Sequence, residues 1–297
     1  MLERIAKIIL WCLGIGWGCV FCWAFCRIFI CDQFVVPSGS MEPSLIAGDR
    51  ILANKLVFGA RIYRNFNFGE GVPLDSWRMP CFRRIRPNDI VVFNAPHGYD
   101  RNMIEFKINY VYAKRCIGTP GDTIAIRDSR FYNNNYSRPI GDTLQQRKLA
   151  AMPDSLFSRG VMRAFPCDDK LFGWTIKDMG PLYVPRKGDS IRMDICNYKL
   201  YRTIVEYETR GKVQFKNDTA YLDDIPLLYY AFAENYYYFC GDNVANSKDS
   251  RYLGFVPEEF IIGVVRRISY SCDRNTDKFR WHRLWRKVPK PKSIITQ

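Results

Sequence analysis

Histidine is almost missing from this chain, with two in 297 residues, at positions 97 and 282. Any serine or cysteine chemistry here must do without the usual proton acceptor. His97 follows "NAP" in an apparent loop and His282 sits between Trp281 and Arg283 in a basic stretch, and neither has the setting of a catalytic base. Carboxylates are scattered, no histidine spacing suits a metal, and no Cys-x-x-Cys pair occurs beyond the first 30 residues. Neither a metal nor a cofactor is therefore expected. "GTPGD" at 118–122 lacks the lysine and the following helix that a phosphate cradle requires. Long helical periodicity is missing too, apart from the N-terminus and a short candidate around Leu144 to Met152, and no internal repeat is evident.

Charge is absent from Ile8 to Cys26, 19 residues reading "IILWCLGIGWGCVFCWAFC". As a helix this run spans about 28 Å, close to the hydrocarbon thickness of a bilayer. A removable targeting sequence has a shorter apolar core and a small-residue cleavage site soon after it. Here the run passes through Arg27 into "IFICDQFVVP", so residues 8–30 are expected to be an uncleaved single-pass anchor, with residues 1–7 outside the bilayer. Arg4, Lys7 and the terminal amine precede the span, and Arg27 is the only Lys or Arg between it and Arg50. The positive-inside bias puts the N-terminus in the cytoplasm and the remaining mass outside.

What is present is typical of a folded protein: 47% apolar and 25% charged residues, with aromatics at 15% favouring β-structure. The net charge of +14 fits an anionic membrane surface or plain solubility, and an external domain does not meet nucleic acid. "RILANKLVF", "DIVVFNAP", "YVYAKRCIG", "DTIAIRD" and "FIIGVVRRISY" are strand-sized and rich in β-branched or aromatic residues. The expected class is mainly β with one transmembrane helix. A two-segment β domain over 31–128 and 236–272 encloses an inserted β-rich region at 129–235, and a basic, aromatic tail follows over 273–297. In that tail Phe279, Trp281, Leu284 and Trp285 mix with Arg280, Arg283, Arg286 and Lys287, which suits either a membrane interface or a solvated tail. "YYAFAENYYYFC" at 229–240 reads as strand and core packing. Cys12, Cys19, Cys22, Cys26 and Cys31 lie in or near the span; Cys81, Cys116, Cys167, Cys196, Cys240 and Cys272 can be bridged or free, and sequence does not choose.

One polar stretch shortly after the apolar run, "PSGSMEPS" at 37–44, offers Ser38 and Ser40 on either side of Gly39. A serine nucleophile needs a base, and with histidine set aside the remaining type is a lysine of lowered pKa. Lys114 lies within "YVYAKRCIG"; alternation puts Tyr110, Tyr112, Lys114 and Cys116 on one face and Val111, Ala113, Arg115 and Ile117 on the other. Burial there would favour the neutral amine, at about 3–5 kcal/mol of differential solvation. A lysine reaching the strand's rim would instead stay charged, and the residues alone leave both readings open.

"PSGSMEPSL", "RPNDIVVF", "KRCIGTPGD" and "GDNVANSKDSRYLGFVPE", in that order behind an anchor, resemble the four boxes of bacterial type I signal peptidases. These leader peptidases are serine–lysine proteases that remove signal peptides at the outer face of the membrane, and the likeness extends over 30–128 and 236–272. The resemblance implies a complex β fold and a bacterial inner-membrane protein, with its catalytic domain on the periplasmic side. It implies exported preproteins as substrates, membrane lipid as a partner and a monomeric state. It further implies Ser40 as nucleophile, Lys114 as general base, and Ser38 with the Ser40 backbone N–H as oxyanion hole. Ser247 matches the serine that orients the lysine, and Asp249 and Arg251 match a supporting ion pair. Gly241, Asp242, Asn243 and Asn246 would shape the adjoining backbone. Phe34, Val36, Pro37, Met41, Leu45 and Tyr112 would form shallow pockets for small P1 and P3 side chains, and an extended substrate would pair with strand edges.

The chain also departs from the family pattern. Val244 and Ala245 replace the arginine and aspartate of "GDNRDNS", which puts the local charge network in doubt. Ala113 stands where a bulky aliphatic is usual and would widen a pocket, and "RPND" stands where Gly-Asp is usual. An inactive or specialised paralogue that binds signal-peptide-like segments is therefore an alternative, and a basic membrane-surface interaction protein is a third.

Overall fold

The computed structural model describes residues 2–69, 72–96 and 103–289; His97 lies outside them. Helix α1 (Leu2–Phe25) continues through a π-helical turn (Cys26–Ile30) directly into strand β1 (Cys31–Val35). Within the span Glu3–Ile30 an 18-residue window reaches a mean hydropathy of 2.0, and none of that window is buried in a core. Trp11, Trp17 and Phe21 stand exposed along it, so it is not the core helix of a soluble protein, and it is long and apolar enough to cross a membrane. At its exit Arg27 pairs with Asp32 at 2.6 Å, and Lys55 Nζ donates to the Arg27 carbonyl at 2.6 Å, tying the helix end to the sheet.

The sheet is antiparallel and seven-stranded. After β1 its members are β2 (Asp49–Asn54), β3 (Ile90–Asn94), β4 (Val111–Gly118), β5 (Tyr236–Cys240), β6 (Val256–Pro257) and β7 (Ile261–Ser271), in the spatial order β1-β2-β7-β3-β4-β5-β6. The central β3 is buried on both faces, and alternation divides its residues. Ile90 and Val92 join Val36, Met41, Leu45, Ile51, Val265 and Ile268, while Val91 and Phe93 join the larger cluster with Cys116, Phe239 and Phe260. Each such side chain contributes about 1.5–3 kcal/mol on burial. Besides the outer edge of β6, two edges of this sheet are left without a strand partner among the described residues. β1 pairs only with β2, and β4 meets β5 only from Arg115 onward, leaving 111–114 open on one side.

Residues 129–235 contain short strands and the expected short helix, α2 (Thr143–Ala151), capped by the Asp142 carboxylate. They also contain a helix not anticipated from sequence, α3 (Ile195–Thr209), capped by Asp194. Its text, "ICNYKLYRTIVEYET", is rich in Ile, Tyr, Thr and Val, which favour strands locally. Yet Leu200, Tyr201, Ile204 and Val205 recur at helical spacing and are buried. Tertiary packing overrides propensity here: Leu200, Tyr201 and Ile204 enter the same cluster as Phe239 and Phe255. Among the described residues, which include all eleven cysteines, no disulfide is formed.

The segment after Cys272 does not extend as a free tail, at least as far as residue 289. It folds back along β7, with Trp285 N donating to the Ser269 carbonyl and Val288 N to that of Arg266. Arg283 is buried and forms a two-pronged ion pair with buried Asp49, at 2.7 and 2.5 Å. Trp281 remains 75% exposed, and Leu284 and Trp285 are exposed beside it. Removing one partner of a buried pair strands the other charge. Arg283→Met should therefore lower stability by about 3–5 kcal/mol in thermal or denaturant unfolding of the full chain; an unchanged transition would show that the fold-back segment does not support the sheet.

Candidate active site

The polar "PSGSMEPS" stretch follows β1 as one tight turn. Ser38 is extended, Gly39–Met41 forms a single 3-10 turn closed by Glu42 N to the Gly39 carbonyl at 3.0 Å, and Met41 buries its side chain as an anchor. Asn243 clamps this turn from the other segment. Its backbone N–H donates to the Ser40 carbonyl at 3.2 Å and its side-chain amide to the Gly39 carbonyl at 3.1 Å. Gly241 must be glycine for the approach to occur: a Cβ there would collide with the Ser40 carbonyl oxygen and the Ser247 hydroxyl.

Lys114 sits opposite Val91 on β4 and is only 4% exposed, so the rim reading does not hold. Its Nζ is in hydrogen-bonding contact with Ser40 Oγ. Burial lowers its pKa to about 8; the nearby Asp249 carboxylate opposes that shift, and the Arg251 cation adds to it. The ammonium donates to the hydroxyl oxygen, whereas the neutral amine accepts the hydroxyl proton. Ser38 Oγ lies 3.4 Å from Ser40 Oγ at the mouth of the site.

Two buried ion pairs frame this contact. Asp249 accepts from Arg251 Nε at 2.9 Å and NH2 at 2.8 Å, and from Gly241 N at 2.9 Å. Asp242 is gripped by Arg115 through two contacts of 2.5 Å, and Arg115 also reaches Ser44 Oγ at 3.1 Å and the Asn88 carbonyl at 2.8 Å. The doubt attached to Val244 and Ala245 is resolved by packing. Val244 is buried in the main cluster, Ala245 packs against it, and Arg251 NH1 takes the Val244 carbonyl at 2.8 Å. Both pairs close without a charge at 244 or 245. Ser247 is buried next to Gly241, but its hydroxyl has no hydrogen-bond partner, and the contact to Lys114 implied by the resemblance is not formed. Asn246 is exposed, its N–H on the Asn243 carbonyl.

Ser40 and Lys114 open onto a groove of about 560 Å³ between the unpaired edges of β1 and β4. Phe34, Val36, Pro37, Met41, Tyr112 and Ala113, to which the resemblance points, line it. Leu45 does not: it is fully buried in the cluster beneath. Residues not singled out beforehand, Val35, Ile51, Val92, Ile108, Asn109, Val111 and Lys248, complete the lining. Arg115 was also passed over, although it directly follows the lysine. A charge in the buried part of a strand was the available signal, since such an arginine requires a carboxylate.

A serine hydroxyl against a buried amine, at the head of an apolar groove with open strand edges, is an arrangement suited to hydrolysis of an extended peptide. A family model described as "Signal peptidase, peptidase S26" matches residues 7–270. Signal peptidase I of Buchnera aphidicola subsp. Acyrthosiphon pisum (strain APS) is 30% identical over 259 residues, 85% of this chain and 72% of that protein. Signal peptidase I of Rickettsia akari (strain Hartford) is 29% identical over 266 residues, 87% of this chain and 80% of its own length. A crystal structure of a signal peptidase I from Enterococcus faecalis V583 aligns with 61% of this chain and 96% of its own, at 19% identity and a TM-score of 0.29. The chain belongs to the signal peptidase family, peptidase S26. Membership supports a peptidase acting on signal peptides, and together with the apolar N-terminal helix it is consistent with a membrane-anchored protein.

Keeping an amine at this buried position costs stability whenever it is charged. The folded-state value near 8 lies below the ordinary 10.5. The unfolded chain therefore binds the extra proton between those values, and stability rises with pH across that window while the full penalty applies below it. Lys114→Met should stabilise the fold by up to about 3 kcal/mol at pH 7, a gain that fades by pH 10 to 11. Unfolding curves at several pH values check this, and a pH-independent difference would contradict the burial cost.

Proposed function

We propose that this protein is a single-pass serine endopeptidase of the bacterial inner membrane that removes signal peptides from exported preproteins with a Ser40–Lys114 dyad. The observation that carries the reading is the buried Lys114 amine in contact with Ser40 Oγ at the head of the groove. The N-terminus lies in the cytoplasm and the catalytic domain on the periplasmic side, as the Arg4 and Lys7 bias favours. Because β1 follows α1 without a linker, the nucleophile stays close to the bilayer surface, where a preprotein's signal segment emerges.

The substrate enters as an extended strand between the open edges of β1 and β4, taking affinity from main-chain hydrogen bonds. Small P1 and P3 side chains face the apolar floor of Val36, Val92 and Ala113. Neutral Lys114 takes the proton from Ser40 as its oxygen attacks the scissile carbonyl. The oxyanion is received by the Ser40 N–H and the Ser38 hydroxyl, and the resulting ammonium protonates the leaving amine. An acyl-enzyme on Ser40 remains, and water attacks it with Lys114 again as base. Asp249, Arg251, Asp242 and Asn243 hold the surrounding backbone. The exposed Trp281, Leu284 and Trp285 beside basic residues are suited to lipid headgroups, and the chain acts as a monomer.

Cleavage of a model preprotein by the purified full chain should be abolished by Ser40→Ala and by Lys114→Ala, and Ser38→Ala should slow it about 10²- to 10³-fold. Full activity in either of the first two variants would refute the dyad. Deprotonated lysine is the active form, so the rate should fall as pH drops through about 8. A profile flat down to about pH 5 would exclude a lysine base.

A further inference from the structure

The groove does not end at the small-residue pockets. A second cavity of about 260 Å³ shares Phe34, Ile108 and Val111 with it and continues toward the anchor end of β1, where Asp32, Lys55, Arg61, Tyr63 and Asn94 form the walls. Strand alternation makes this continuation regular. Asp32 and Phe34 on β1 and Val36 just beyond it follow one another on one face, as do Val92 and Asn94 on β3. The same side of the sheet thus changes from aliphatic beside Ser40 to polar and charged four residues away. A bound strand advances at nearly the same rise as β1, about 3.3 Å per residue, so every second substrate residue faces this floor. With P1 beside Ser40 and P3 next, the residue over the second cavity is P5. The groove runs toward the anchor, the side from which the membrane-embedded part of a signal peptide arrives, so this end lies before the scissile bond and not after it.

The polar groups already present define what the cavity lacks. The Asp32 carboxylate is taken by Arg27 at 2.6 Å, with Lys55 at 3.7 Å. Asn94 accepts from Arg61 at 2.9 Å and spends its own amide on the carbonyls of Lys107 and Ile108 at 3.0 Å each. The Tyr63 hydroxyl accepts from Arg61 at 2.6 Å, leaving its own proton to donate. Lys55 has three protons and one close acceptor, the Arg27 carbonyl. Arg61 is engaged with the Glu259 carbonyl at 2.8 Å and lies near that residue's carboxylate, and Asp32 is already held by Arg27, so the unused capacity is that of donors, Lys55 and the Tyr63 hydroxyl. We propose that this cavity is an S5 subsite that selects a P5 side chain bearing a hydrogen-bond acceptor, a carboxylate or amide oxygen, and rejects Lys and Arg. The proposal rests on the signal-peptide-cleaving reading of the adjoining groove.

The test uses the purified full chain in lipid–detergent micelles and model preproteins identical except for Glu, Gln, Ala or Lys at P5. Fluorescence anisotropy of labelled peptides whose scissile amide is reduced, and so cannot be cut, gives binding in parallel. A charge-assisted hydrogen bond carries about tenfold or more in kcat/KM and in affinity. Glu and Gln should therefore exceed Lys by about that factor, and Lys55→Gln should bring the Glu-to-Lys ratio close to one. Asp32→Asn, which removes the one carboxylate among the described wall residues, should raise the ratio above that of the unmodified protein. Each ratio is taken within one variant, so changes in overall activity cancel. Equal values across the P5 series, or a ratio that survives Lys55→Gln, would overturn the subsite. Loss of all cleavage with P5-dependent binding retained would overturn the peptidase reading and leave the subsite standing; loss of both would overturn the two together.

Discussion

The account depends on one desolvated amine. Lys114 is almost wholly withdrawn from water, and the resulting drop in pKa is what, in the proposed mechanism, lets this lysine accept the Ser40 proton near neutral pH. Burial without a full counter-charge is costly, and the surroundings keep the balance. Asp249 is close enough to act on Lys114 electrostatically, but its oxygens are occupied by Arg251 and Gly241 N, so it does not neutralise the amine directly. Were Asp249 free to pair with Lys114, the amine would remain charged and the hydroxyl would keep its proton.

That requirement explains the rest of the site. Two segments far apart in sequence must meet within a hydrogen bond of each other, and the meeting is enforced by backbone contacts. Asn243 holds both carbonyls of the Ser40 turn, and Gly241 lets that turn approach. Arg115 and Asp242, adjacent in sequence to Lys114 and Gly241, lock β4 to the same loop through a buried pair. Such a pair adds little net stability against an apolar equivalent, but it tolerates only one relative position of its partners. The groove follows from the same arrangement, because β4 can present Lys114 to Ser40 only where β5 has not yet covered its edge.

Much of this was legible from residues. The uncharged run announced α1, alternating β-branched runs announced the sheet, and the shortage of histidine directed attention to a lysine in an apolar strand. Less legible were features fixed by distant packing. Helix α3 carries strand-favouring residues and is helical because Leu200, Tyr201 and Ile204 fill a cluster built mainly by other segments. The resemblance implies Leu45 as a groove residue, but it is fully buried in the core beneath the groove. The basic text after Cys272 reads as a tail because nothing nearby pairs with it; its partner, Asp49, is more than two hundred residues away. Ser247 is the reverse case, a residue with an implied role whose hydroxyl is close to the site and unpaired.

The central claim is most directly tested by titrating the Lys114 side-chain nitrogen itself, by NMR of the full-length protein carrying isotope-labelled lysine, with Lys114→Met to assign the signal. The account predicts a midpoint about 8, well below the ordinary lysine value. A midpoint at about 10.5, the value of a lysine bathed in water, would contradict it.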